Sequence, residues 1–265
     1  MIEQITIENF KSLKKVQLKL GRMNLFVGSN ASGKSNLFDA LRVLRGVAGG
    51  FPIKELFEGG TRTGSGEAWP GIRGGLRYSI HMPTGAEGLS PDAETRLSIG
   101  FNGSQQRLGY IIGFNAVGKT TQESLYRDGE EVFLYDGKDP YFRAHPGALV
   151  ETYPHPFLGS QLILAFRTGL AGAQKPVVEE WIRRQLSMQF FEFVPDVLRR
   201  YGTSADLPQM GELGENFASL VRAICSDPAT KEAYLTWLRE LRPRELDDVT
   251  VLKGAVGEPL FATVE

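Results

Sequence analysis

Residues 28–35 read Gly28-Ser29-Asn30-Ala31-Ser32-Gly33-Lys34-Ser35, a G-x-x-x-x-G-K-S pattern. The spacing is chemical. Glycines let backbone N–H groups turn inward around an anion with no Cβ in the way. A lysine just after the second glycine reaches β- and γ-phosphates, and the next hydroxyl takes a position on Mg²⁺. The pattern needs a strand before it and a helix after it. Met23-Asn24-Leu25-Phe26-Val27 is a short apolar run that predicts a buried strand. Leu37, Ala40, Leu41 and Leu44 recur at helical spacing and predict a helix closing at Gly46. Its N-terminal dipole would add to the anion site. The expected nucleotide contacts are therefore Gly28, Ser29, Asn30, Ala31, Ser32, Gly33, Lys34, Ser35 and Asn36, with Ser35 also the magnesium ligand. For Asn30 and Asn36 a turn or cap role competes with a nucleotide contact.

The same pattern occurs again at Gly113-Phe114-Asn115-Ala116-Val117-Gly118-Lys119-Thr120. Tyr110-Ile111-Ile112 before it could be a strand, but residues 121–129 carry no apolar helical stripe and meet Asp128-Gly129, a tight-turn pair. Without a helix N-terminus the anion site loses its dipole and most of its aligned donors. A hairpin turn is expected there, with a second nucleotide site as the alternative.

Around the first loop, residues 2–8 and 16–20 alternate as half-buried strands, with Asn9-Phe10-Lys11-Ser12 turning between them. Residues 49–75 are rich in glycine and predict a long loop with one helical turn near Ile53. Strands are expected at 76–82, 96–101, 109–114, 123–126 and 131–135, an antiparallel meander. After several prolines, helices are expected at 177–189, around Leu213 to Ile224, and after Asp227-Pro228, a cap followed by a first-turn proline. Pro243 should end the last one. Short strands are expected at 249–253 and 260–264. Three parts follow: a nucleotide-binding lobe at 1–139, a helical subdomain at 140–245, and strands at 246–265 returning to the lobe.

The net charge of −1 gives no strongly basic surface, so DNA is an open partner that charge does not support. Cys225 is the single cysteine, which excludes an internal disulfide and suits a reducing compartment. No signal-like N-terminus or membrane-length apolar run is present, so a cytoplasmic location is expected. His145 and His155 lack a second ligand pair at zinc-like spacing. Arg183-Arg184 and Arg199-Arg200 read as solvated helix faces before phosphate contacts.

Ile5-Thr6-Ile7-Glu8-Asn9-Phe10-Lys11-Ser12, a second strand, and then residues 24–41 resemble the opening of RecF/SMC-type ABC ATPases. The closest flavour is the bacterial "AAA family ATPase" branch that includes the OLD proteins. The specific part is the I-x-N-F-K-S element ahead of the loop. Phe190-Phe191-Glu192-Phe193-Val194-Pro195 and Leu241-Arg242-Pro243 resemble that branch's later helical region more loosely. Ser29 and Ala31 stand where these proteins usually have Pro and Gly, which should stiffen the loop. The resemblance implies an α/β P-loop NTPase of ABC-ATPase type, with a mixed sheet around the loop, an antiparallel meander and a helical subdomain. It implies ATP and Mg²⁺ as cofactors and Lys11 near the nucleotide, with a solvated turn lysine as the alternative. It also implies closure against a second head, a homodimer being the natural form, a nuclease or other subunit as effector, and work in DNA maintenance or phage defence.

Such ATPases also need a Ser/Gly signature motif, an apolar strand ending in Asp-Glu, and a switch histidine. None is legible. Val132-Phe133-Leu134-Tyr135-Asp136 ends in Asp, but Gly137 follows where Glu is needed, and a hairpin strand is the simpler reading. Phe190-Phe191-Glu192 reads as a core segment. The expectation is the N-terminal portion of an ATPase that binds ATP while its hydrolytic residues come from outside these 265 residues. Two alternatives stay open: a nucleotide-gated interaction module without turnover, and a self-contained P-loop NTPase using Asp136 for magnesium.

Overall fold

The computed structural model describes residues 1–61, 68–82, 93–102, 106–137, 141–143, 150–152, 172–199, 210–241, 247–253 and 259–264. The chain divides into two units, Met1–Met188 and Gln189–Glu265.

The first unit is an antiparallel sheet with helices packed on its apolar side. Its strands are β1 (Ile2–Phe10), β2 (Leu13–Lys19), β5 (Glu94–Asn102), β6 (Arg107–Asn115), β7 (Thr120–Arg127), β8 (Glu130–Tyr135), β9 (Tyr141–Arg143) and β10 (Val150–Thr152). They lie in the order β10-β9-β8-β7-β6-β5-β1-β2. Two-residue strands β3 (Gly60–Thr61) and β4 (Ala68–Trp69) pair apart from it. Alternation sets the register: Leu18, Ile5, Ile99, Tyr110, Leu125 and Phe133 fall opposite one another across six strands. All but Leu18 are fully buried or nearly so. A one-residue slip would send that row to solvent, so burial fixes the pairing.

Helix α1 (Lys34–Ala48) lays Leu37, Ala40, Val43, Leu44 and Val47 on this core. Helix α2 (Ile53–Glu58) crosses close to it, because Gly46 has no side chain to collide with Leu56 and Trp69. Helix α3 (Lys175–Leu186) adds Val177, Val178 and Trp181, whose ring lies 4.3 Å from that of Tyr110. The Tyr110 hydroxyl donates to Glu123, a fully buried carboxylate, at 2.5 Å. Such a pairing is what makes a polar group tolerable in a core.

The second unit holds α4 (Pro195–Leu198), α5 (Phe217–Cys225), α6 (Pro228–Leu241), and the hairpin of β11 (Asp248–Lys253) with β12 (Pro259–Val264). Its small core is Val221, Leu235 and Val249. The expected cap is present: Asp227 accepts from the Thr230 amide at 2.8 Å and from its hydroxyl at 2.5 Å.

The antiparallel meander follows the alternation, and the α/β class holds. Four local expectations are corrected. Residues 23–27 form no strand with any described neighbour, leaving Met23, Leu25 and Val27 at 89%, 82% and 85% exposure, while Phe26 packs on the core. An apolar run signals a need for cover, and no described strand lies alongside to supply it. Residues 76–82 are not a strand but a 3₁₀ turn, Leu76–Tyr78, followed by one bridge from Ile80 to Phe10. There the Ser79 hydroxyl donates to the Leu76 carbonyl at 2.7 Å, a local bond that competes with strand pairing. Residues 190–192 are not core: Phe190 is part-buried, Glu192 is exposed, and Phe191, about half exposed, stacks on Phe193 at 5.3 Å. Helix α1 also runs two residues past Gly46. His145, His155, Arg200 and Pro243 lie outside the described residues.

Candidate functional site

The site begins where β1 turns into β2. Asn9 and Lys11 both adopt positive φ, 55° and 50°, a conformation that a non-glycine residue keeps only when its surroundings hold it. They do. The Lys11 amide donates to the Ser79 carbonyl at 2.8 Å, and His81 donates through its amide to Asn9 at 2.9 Å. His81 Nδ1 donates to the Lys11 carbonyl at 2.8 Å, and the Thr95 hydroxyl donates to the Asn9 carbonyl at 2.7 Å. The I-x-N-F-K-S element is therefore a rigid corner pinned to the 79–81 segment and to β5.

The phosphate loop rests on that corner. Gly33 (φ 93°) opens α1, and a Cβ there would stand 2.8 Å from Leu13 Cδ2 and 3.2 Å from Ser12 Oγ. Only glycine allows so close an approach at that backbone angle. Asn36 Nδ2 donates to Ser12 Oγ at 2.7 Å, so this asparagine clasps helix to corner. Ala31 carries φ 65° where a glycine would be relaxed. Ser29, Asn30, Ala31 and Ser32 are exposed.

Lys34 folds across its own loop. Its ammonium donates to the Gly28 carbonyl at 2.6 Å, the Ser29 carbonyl at 2.7 Å and Ser32 Oγ at 3.2 Å. These are neutral acceptors near solvent, so an incoming polyphosphate would compete well for the ammonium. The loop thus holds its cation against its own carbonyls, where an anion bound by the loop would meet it.

Lys11 is not a solvated turn lysine. Its ammonium donates at 2.7 Å to Asp39 Oδ2 and at 2.7 Å to the Arg73 carbonyl. Asp39, 1% exposed, also receives Arg73 at 3.1 Å and Arg42 at 3.5 Å. Three cations around one carboxylate leave the cluster net positive. A cavity of about 490 Å³ adjoins it, lined by Lys11, Ser12, Ser35, Asn36, Arg73 and Tyr78, among others. The structure therefore brings Lys11, Ser35 and Asn36 to one hollow. Sequence reading missed Asp39 and Arg73. Asp39 carried a signal, a charge among the buried positions of an amphipathic helix, whereas Arg73 sits in a glycine-rich loop with no pattern.

Elsewhere the expected alternatives separate. Residues 113–120 form the β6–β7 hairpin, where Asn115 Oδ1 accepts the amides of Val117 at 3.2 Å and Lys119 at 3.0 Å. Those amides serve the turn, and no helix follows. Asp136 follows β8, which β7, β6 and β5 separate from β1, and it does not line the cavity. Among the described residues, no cluster of three or more His, Cys, Asp or Glu is placed to hold a metal, and no helix is long and apolar enough to cross a membrane.

Residues 1–55 match the model of the AAA ATPase domain family. The matched segment contains β1, β2, the loop and α1, and it supports an ATP-binding, ATPase-like domain. A solved structure of the recombination mediator protein RecF with ATPrS, in the RecFOR pathway, is similar at 19% identity and a TM-score of 0.30. That match covers 49% of this chain and 27% of the RecF chain. No curated protein sequence matches the chain.

Proposed function

We propose that the chain binds ATP with Mg²⁺ at residues 28–36 and serves as the nucleotide-binding portion of a RecF/SMC-type ATPase. The observation that carries this is Lys34: its ammonium is folded across the loop onto three neutral acceptors, and Gly33 caps the start of α1. In phosphoryl transfer the protein positions and neutralises charge, and Lys34, Ser35 and the loop amides would do this for the phosphates and the metal. Asp39 is the acidic group closest to hand on α1, but Lys11, Arg42 and Arg73 already hold it. The groups that polarise water would then come from outside the 265 residues.

The run at residues 23–27 fits the same reading, since it leads straight into the loop with Met23, Leu25 and Val27 exposed while Phe26 packs on the core. The resemblance of the N-terminal segment supports a second head closing over the loop, and a role in DNA maintenance or phage defence, with an OLD-like protein as the finer assignment. The test is a comparison of binding and turnover. Mg²⁺–ATP should bind this chain with almost no phosphate release. Brisk hydrolysis by the chain alone would instead favour a self-contained enzyme, and absence of binding would overturn the proposal.

A further inference from the structure

We propose that the cavity between the β1–β2 turn, the start of α1 and residues 73–82 receives the nucleoside end of the nucleotide, with the Tyr78 ring as the surface on which the base stacks. This rests on the ATP-binding reading above and adds the residue that reads the base. The cavity, about 490 Å³, is of the size that small-ligand sites have, roughly 300–1,000 Å³. Ser35 and Asn36 belong to both the phosphate loop and the cavity wall, so a ligand with its phosphates in the loop continues into it.

The walls differ in character. One side is polar, with Ser12, Asn36 and the Lys11–Asp39–Arg73 cluster; the other is Tyr78, Ile80 and Met82. A nucleoside phosphate has the same two ends, an anionic one and a flat apolar one. On the polar side the cations outnumber Asp39, and Arg73 is 56% exposed beyond its ion pair. Its guanidinium therefore pairs with Asp39 while keeping solvent-facing donors that an added anion could meet. On the apolar side Tyr78 is 57% exposed and Met82 44%. An aromatic face left open beside a charged cavity is suited to stacking on a base of any sequence. Tyr78 closes the 3₁₀ turn, and the Arg77 guanidinium lies over one face of its ring, 5.9 Å from the centroid, which leaves the other face for a base.

The test is calorimetric titration of ATP and of inorganic tripolyphosphate, each with Mg²⁺, into the wild type and the Y78A, Y78F and K34A variants. Loss of one stacking partner should weaken ATP binding by Y78A about tenfold or more, with tripolyphosphate unchanged and Y78F close to wild type. K34A should lose both ligands. If Y78A binds ATP like the wild type, the base does not stack on Tyr78 and the inference falls, while the phosphate-loop reading stands as long as K34A has lost both ligands. If Y78A loses ATP and tripolyphosphate equally, Tyr78 acts through the structure of the loop, and the inference falls again. If K34A keeps ATP, both readings fall together.

Discussion

Lys11 Nζ sits 2.7 Å from Asp39 Oδ2, joining the corner between the first two strands to the helix that follows the phosphate loop. The lysine side chain is 10% exposed and the aspartate 1%, so water screens the pair little. Arg42 and Arg73 share the same carboxylate. Replacing Asp39 with Asn would leave three cations facing a neutral group. Breaking a buried pair from one side costs about 3–5 kcal/mol. Asp39→Asn should therefore lower the urea midpoint by a shift equivalent to about 3 kcal/mol. A change under about 1 kcal/mol would mean that the cluster behaves as an ordinary surface ion pair.

Ala31 pays a backbone penalty inside the loop. An L side chain at its φ of 65° costs roughly 1–2 kcal/mol, and a glycine there loses roughly 0.5–1 kcal/mol of that gain to unfolded-chain entropy. Ala31→Gly should raise the melting temperature by about 1–2 °C, while the β-branched Ala31→Val should lower it. Thermal melts of the two variants check this. Shifts of the same sign would show that the loop does not hold the strained conformation.

The second unit should lose stability in acid. Hydrogen bonds from the Thr230 hydroxyl and then its amide hold Asp227 below its ordinary carboxylate range, and the Lys231 bond, with the Val249 amide, does the same for Asp248. A depressed carboxylate contributes fully above its unfolded value, about 3.9, and that contribution fades as the pH falls through the lower folded value. Asp227→Ala should thus melt below the wild type at neutral pH, and the gap should close in strong acid. A gap that stays constant with pH would remove the capping carboxylate as its cause.

Much of this was readable from residues alone, for physical reasons. Strict alternation around Ile5, Ile99 and Tyr110 dictates strands, since only one register buries them. Asp227-Pro228 marks a helix start because the carboxylate satisfies amides that the helix leaves free. The second G-x-x-x-x-G-K-T stretch, at residues 113–120, reads as a turn because nothing after it could be an amphipathic helix. The misses share one cause: local patterns do not say what lies alongside. Residues 23–27 look like a buried strand, yet a strand needs a pairing partner, and no described strand lies alongside them. Leu76 to Met82 is apolar enough for a strand, but Ser79 closes a turn instead. The Lys11–Asp39–Arg73 cluster joins three distant stretches, 28 and 34 residues apart, which periodicity cannot link.

Whether the chain has one nucleotide site, at the first loop, is decided by titrating Mg²⁺–ATP into the wild type and the Lys34→Ala and Lys119→Ala variants. One ATP should bind per chain. Loss of a charged donor to phosphate should weaken Lys34→Ala by about a hundredfold, and Lys119→Ala should match the wild type. Binding that survives Lys34→Ala, or a stoichiometry near two that Lys119→Ala reduces to one, would contradict the account.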